Sequence, residues 1–265
     1  MLMGFVGLPI SITLYWLMLR SKKEDPFPKG GLLRLLIAAV ISVALSSILS
    51  LPMSMIVAIF RSGALKDLPG FIELIQNDPS VLKQMMENTD SGILSMTVRS
   101  IVDMFFSAGL LEEGLKYLTC RMAIRKEGMV RTWMDAVVAF AIVGITFELL
   151  ENVAFGAGSD VVSTLLRALA SAHFAFGVIM GYFHGKSLVT GKKRYRLLSF
   201  FVPLLYHTVA NGLMASMSLS KINYVIGVAS SISYIIAAIA AVIIVLHWQK
   251  NKTLDVPVLQ KQDQA

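Results

Sequence analysis

Stretches of about twenty apolar residues, joined by short polar connections, recur along the whole 265-residue chain. A helix needs roughly 20 apolar residues to cross a hydrocarbon core about 30 Å thick. Charged residues make up only 15% of the chain, against about 25% in soluble domains, and mean hydropathy is +0.69. This pattern predicts an all-α, polytopic membrane helix bundle of about seven spans. They run Met1–Leu19, Leu32–Phe60 (with Pro52 as a kink), Ile93–Ile124, Trp133–Phe155, Val161–Phe183, Leu197–Leu219 and Tyr224–Trp248. Cys120 is the single cysteine, so an intramolecular disulfide is excluded.

The connections alternate in charge. Residues 20–34 carry Arg20, Lys22, Lys23, Lys29 and Arg34, residues 121–131 carry four bases, and residues 186–196 carry five. The stretch 61–92 is instead rich in acids (Asp67, Glu73, Asp78, Glu87, Asp90). Basic connections stay in the cytoplasm, which predicts the N-terminus outside and the C-terminus cytoplasmic. The bases around Arg20 follow the first apolar segment rather than precede it, so that segment reads as a retained span and not a cleaved leader. The net charge of +7 then faces anionic headgroups; the lipid bilayer, and no nucleic acid, is the expected partner. Residues 1–249 read as one integral membrane domain. Its outer-side loop, 61–92, has helical apolar spacing interrupted at Pro69 and Pro79, and its catalytic-type core spans 105–215. Residues 250–265 read as a disordered cytoplasmic tail.

The informative residues are ionisable groups inside the apolar segments. They are Glu112, Glu113 and Lys116 on the third, Glu148, Glu151 and Asn152 on the fourth, His173 on the fifth, and His207 and Asn211 on the sixth. Each charge at mid-bilayer costs about 2.5–3.5 kcal/mol on insertion scales, so these groups must face one another, a cavity or an ion. With a rise of about 1.5 Å per residue, Glu112, Glu113, His173 and His207 all lie ~16–17 Å from the cytoplasmic ends of their segments, and Glu148 ~21 Å. One layer near the midplane results. Spacings of three and four residues also put each set on one helix face. Gly177, Gly181 and Gly185 continue the face of His173 as a seam for close helix approach.

Four glutamates against one lysine leave an excess of negative charge that a low-dielectric site cannot hold. Protons, histidinium or a metal cation must compensate. Carboxyl pairs beside imidazoles are equipment for general acid–base catalysis. Taken singly, each feature has a structural reading: a Glu–Lys helix pair, an interhelical histidine bond, an interfacial cap. Their shared depth favours a site. Among the other polar groups, His184 and His247 read as interfacial, and Arg167 as a partner for Asp160 or Glu151. No GxSxG, HExxH or Walker motif occurs, which argues against serine-hydrolase, zincin and NTPase chemistry.

In order, the motifs are Glu112-Glu113-x-x-Lys116, Phe147-Glu148-x-x-Glu151-Asn152, His173-x-x-x-Gly177 and His207-x-x-x-Asn211. This ordered set, over about residues 105–215, resembles the PrsW-type intramembrane proteases, distant relatives of the CAAX protease and bacteriocin-immunity superfamily. The CAAX branch has an arginine after its paired glutamates and a histidine four residues after the phenylalanine; here those positions hold Lys116 and Glu151. The resemblance implies a bacterial cell-membrane endopeptidase acting on a membrane-anchored protein substrate, such as an anti-sigma-factor-like regulator. It matches Glu112 and Glu113 to an essential acid pair and His173 to an essential histidine. A zinc ion is compatible with the residues, and Glu113, Glu148, His173 and His207 are its expected ligands. Two other classes remain open, a proton- or cation-coupled transporter and a non-catalytic membrane scaffold.

Overall fold

A computed structural model of the chain describes residues 5, 7–62, 68–78, 80, 92–156 and 161–259. Among these the architecture is helical throughout. The helices are α1 (Leu8–Arg20), α2 (Gly31–Ser62), α3 (Leu68–Asn77), α4 (Ile93–Ala123), α5 (Trp133–Gly156), α6 (Val161–Ala170), α7 (Ala172–Thr190), α8 (Lys193–Ala215) and α9 (Lys221–Asn251). Six helical stretches are long and apolar enough to cross a membrane, with α6 and α7 together making one of them.

Of the seventh expected span, Met1–Leu19, residues 1–4 and 6 lie outside the described residues; the helix described there, α1, covers 13 residues and starts at a proline-bearing first turn. Pro fits there because the first helical N–H groups have no intrahelical acceptor. In the 61–92 connection, α3 starts at Leu68 with Pro69 in its first turn. Leu82, Met85, Met86 and the acids Asp67, Glu87 and Asp90 lie outside the described residues, as does Asp160.

Two of the expected regular spans are not regular. Within α4, residues Phe105–Glu113 form a π-helical stretch between the α-helical Ile93–Met104 and Gly114–Ala123. A π turn closes i→i+5 bonds, so each residue advances through a smaller angle than in an α-helix. The fifth apolar segment breaks at Ser171, whose φ of 38° is left-handed. That conformation is unfavourable for a residue with a Cβ and here separates α6 from α7.

The centre of the bundle is α5. Val137, Ala139, Ala141 and Ile142 on it are fully buried, whereas α2 and α9 expose large aliphatic side chains such as Ile48, Leu51, Ile236 and Ile243. Apolar surface on that scale belongs against lipid. Helices α5 and α7 approach closely along the glycine seam: a Cβ at Gly177 would lie 2.5 Å from Phe140 O, and one at Gly181 2.5 Å from Val137 Cα.

As far as it is described, the C-terminal stretch packs back on the bundle. Helix α9 runs on to Asn251, three residues past the expected span. Leu254 is buried, Thr132 and Pro257 form an antiparallel bridge, and the N–H groups of Trp133 and Met134 donate to Val256 O and Leu254 O. The polar composition of the stretch suggested disorder. One leucine and four backbone bonds are enough to dock residues 254–259 on the start of α5 and the end of α7.

Candidate active site

Four helices deliver the polar layer. Within α4, the π-helical stretch ends at Glu113 and carries Glu112 and Glu113 side by side; Lys116 follows one α-helical turn later. Glu113 is fully buried, and Lys116, His173 and His207 are nearly so. Glu112 is more open, with 17% of its side chain exposed, and it lines a cavity of about 1030 Å³.

The contacts form one connected network. Glu113 Oε1 accepts from Lys116 Nζ at 2.7 Å and from His207 Nδ1 at 2.7 Å. Lys116 Nζ also donates to His173 Nδ1 and sits 4.3 Å from the centre of the Phe147 ring, a cation–π contact. His173 Nε2 then carries the proton and donates to Glu151 Oε2 at 2.9 Å. Arg167 on α6 donates to the same Glu151 oxygen at 2.8 Å and to Asn152 Oδ1 at 2.9 Å. Asn211 Nδ2 donates to His207 Nε2 at 2.8 Å. The backbone N–H of His173, exposed by the break at Ser171, donates to Glu148 Oε2 at 2.9 Å.

All nine sequence-identified residues therefore belong to one cluster, though at different depths within it. Glu112, Glu113, His173 and His207 form the centre, where one ligand atom from each lies within 4.8 Å of the others. Glu112 Oε2 is 3.7 Å from His173 Nε2 and 4.0 Å from His207 Nε2. Of the four expected metal ligands, three are in this group and Glu112 takes the fourth place. Glu148 instead secures the start of α7. Arg167 meets Glu151, one of its two expected partners. His184 differs from expectation: it is buried, packed on Phe140 and Tyr117, because α7 continues to Thr190 and leaves it a turn and a half inside the helix end. His247 is exposed.

Two contributors escaped the motif reading. Tyr234 on α9 donates its hydroxyl to Asn211 Oδ1 at 2.8 Å; a tyrosine just after Ser230, Ser231 and Ser233 in the middle of an apolar span was the available signal. The helix break that frees the His173 N–H has no breaking residue to announce it.

The donor set suits a divalent cation. Glutamate and histidine side chains are ordinary ligands for zinc, and His173 donates from Nε2 to the Glu151 carboxylate, the kind of outer partner that orients metal-bound histidines. Buried Glu113 Oε2 has no hydrogen-bond partner among the described residues. Four carboxylates against Lys116 and Arg167 also leave two negative charges over.

A family model described as PrsW family intramembrane metalloprotease matches residues 51–247. The chain is similar to Protease PrsW of Bacillus subtilis, 32% identical over 119 residues, covering 43% of this chain and 55% of the relative. It is similar to Protease PrsW of Geobacillus kaustophilus at 34% over 114 residues, covering 42% and 51%. Protease PrsW of Clostridioides difficile is 29% identical over 115 residues, covering 40% and 48%. The chain thus spans about half the length of the curated relatives it matches, and no solved structure matches it. The family match, which begins at Leu51 and ends at His247, takes in every member of the buried Glu–His cluster, and the chain belongs to the PrsW family.

Proposed function

We propose that the protein hydrolyses peptide bonds of membrane-anchored protein substrates within the bilayer. The observation that carries this reading is the convergence of Glu112, Glu113, His173 and His207 beside a cavity large enough for a stretch of peptide. A buried acid pair with two imidazoles matches general acid–base hydrolysis.

Glu112 is the base in this reading, since it lines the cavity and Glu113 does not. It takes a proton from a water placed between it and the imidazoles. The water oxygen bonds to the scissile carbonyl carbon, and the oxyanion that forms is stabilised by N–H donors at the cavity wall. The C–N bond then breaks, and the proton held on Glu112 passes to the departing amine. Glu113, fixed by Lys116 and His207, keeps the acid pair in register. Glu112, Glu113, His173 and His207 would hold a divalent ion, zinc by ligand type. Such an ion supplies Lewis acidity and eases deprotonation of water. The orientation that puts the basic connections in the cytoplasm, and anti-sigma-factor-like regulators as substrates, belong to the same proposal.

The test is reconstitution of the purified full chain with single-pass candidate substrates, beside Glu112→Gln and Glu113→Gln. Cleavage by the wild type, lost in both variants, is expected. Ion flux into liposomes that Glu113→Gln abolishes, with no peptide cut, would replace this reading with transport. Cellular function that survives Glu112→Gln, Glu113→Gln and His173→Ala would replace it with a scaffold.

A further inference from the structure

Tyr234 sits on α9, outside the four helices that carry the motifs, yet it ends a hydrogen-bonded chain that reaches Glu113. Its ring is buried and wedged against Phe176 and Tyr206, with centroids 5.7 and 5.6 Å away. Its hydroxyl donates to Asn211 Oδ1 at 2.8 Å, and Asn211 Nδ2 donates to His207 Nε2 at 2.8 Å. His207 Nδ1 closes the chain on Glu113 Oε1 at 2.7 Å.

The amide inventory decides what is left. An asparagine offers one oxygen and two N–H groups. Tyr234 engages the oxygen and His207 Nε2 takes one N–H, so the second N–H has no partner among the described residues. Asn211, His207 and Tyr234 all line the cavity that Glu112 faces. A carbonyl oxygen acquiring negative charge there would meet an amide already held at the cavity wall. Preorganised donors of this kind, worth most in a site that excludes water, are the usual stabilisers of acyl-transfer transition states.

We infer that Tyr234 is a positioning residue for the hydrolytic reaction: by holding Asn211 Oδ1 it presents the Asn211 N–H to the oxyanion. This rests on the hydrolase reading above. It assigns no proton transfer to Tyr234; the hydroxyl also lies 3.3 Å from His207 O, but the shorter bond to the amide is the one that orients Asn211. The neighbouring Tyr206 hydroxyl donates to Ser233 Oγ, away from the centre, and serves as an internal control.

The experiment uses the full-length protein in detergent or liposomes, with a cleavable single-pass substrate and a phosphinic peptide of the same sequence as an oxyanion mimic. Tyr234→Phe removes one oxygen and should keep the fold, with the melting temperature lowered by no more than the loss of one hydrogen bond. It should lower kcat about tenfold with KM within twofold of wild type, and weaken phosphinate binding by the same factor. Tyr206→Phe should match the wild type. Asn211→Asp should lose more, on the order of a hundredfold for an oxyanion donor, and adding Tyr234→Phe to it should cost nothing further, because residues acting in one chain are not additive. A Tyr234→Phe enzyme with wild-type kcat and phosphinate affinity overturns the assignment, as does an additive double variant. If Tyr234→Phe fails to fold, the Asn211→Asp arm decides: wild-type phosphinate affinity there overturns it. A wild type that cuts no peptide and binds no phosphinate removes the hydrolase reading itself.

Discussion

His173 is held to Glu148 by its backbone rather than its side chain: its N–H donates to Glu148 Oε2 at 2.9 Å. The break at Ser171 leaves this N–H without a helical acceptor, and a charged acceptor 25 positions back on α5 supplies one. Glu148→Gln keeps an oxygen at that place and should retain the fold with modest loss of cleavage. Glu148→Ala orphans a buried donor, which costs about 1–3 kcal/mol, and frees the start of α7. It should lower the melting temperature and reduce cleavage at least tenfold. Thermal melting beside a cleavage assay checks both; equal behaviour of the two variants would count against this role.

Glycines at the α5–α7 interface should separate stability from activity. A Cβ at Gly144 would collide with His173 O, whereas one at Gly177 would press on Phe140 O, a full turn further from the site. Overpacking typically costs about 1–3 kcal/mol. Both Gly144→Ala and Gly177→Ala should melt earlier than wild type. Only Gly144→Ala should lose cleavage out of proportion to stability. Gly92, with open space around its Cβ position, provides a neutral Ala control by the same two measurements.

Much of this centre was legible in the chain because hydrocarbon makes polar residues informative. Glu112, Glu113, His173 and His207 stood out because a charge in lipid needs a partner, and helical rise alone put them at one depth. The same logic could not rank them: Glu148 has the spacing of a ligand, and only the break at Ser171 turns it toward a backbone N–H. That break has no glycine or proline beside it, and the π stretch at Phe105–Glu113, though it contains Gly109, begins without either. Likewise the docking of residues 254–259 depends on backbone pairing with Thr132–Met134, which polar composition does not reveal.

Lys116 offers a sharper test of the buried charges. Its ammonium bonds Glu113 Oε1 at 2.7 Å and is almost inaccessible. Removing one partner of a buried ion pair typically costs about 3–5 kcal/mol, since the other charge is left uncompensated. Lys116→Met should therefore destabilise the protein strongly and abolish cleavage. Adding Glu113→Gln, which removes the stranded charge, should recover a measurable part of the lost melting temperature without restoring activity. No recovery in the double variant would mean that the two groups are not coupled.

The C-terminal stretch makes a separate claim about stability. Leu254 is 3% exposed, and the backbone around it pairs with the start of α5. Leu254→Ala should destabilise by about 2–5 kcal/mol, the usual range for emptying a buried leucine site. Cleavage per folded molecule should stay at the wild-type level, because the stretch docks at the start of α5, about four turns before Glu148. Melting curves with activity normalised to folded protein check this.

A divalent cation should stabilise the native bundle and nothing else. The group of Glu112, Glu113, His173 and His207 exists only when three helices, α4, α7 and α8, are assembled, so the unfolded chain has no comparable site. Binding to the native state alone adds about 2.7 kcal/mol when the free ion exceeds its dissociation constant a hundredfold. Zinc added to chelator-treated wild type should raise the melting temperature, and Glu113→Gln or His173→Ala should shrink that rise. Glu148→Gln, which alters the support of α7 and not the central group, should keep it. A melting temperature indifferent to both chelator and zinc would assign the two surplus negative charges to retained protons, leaving Glu112 and Glu113 to share them.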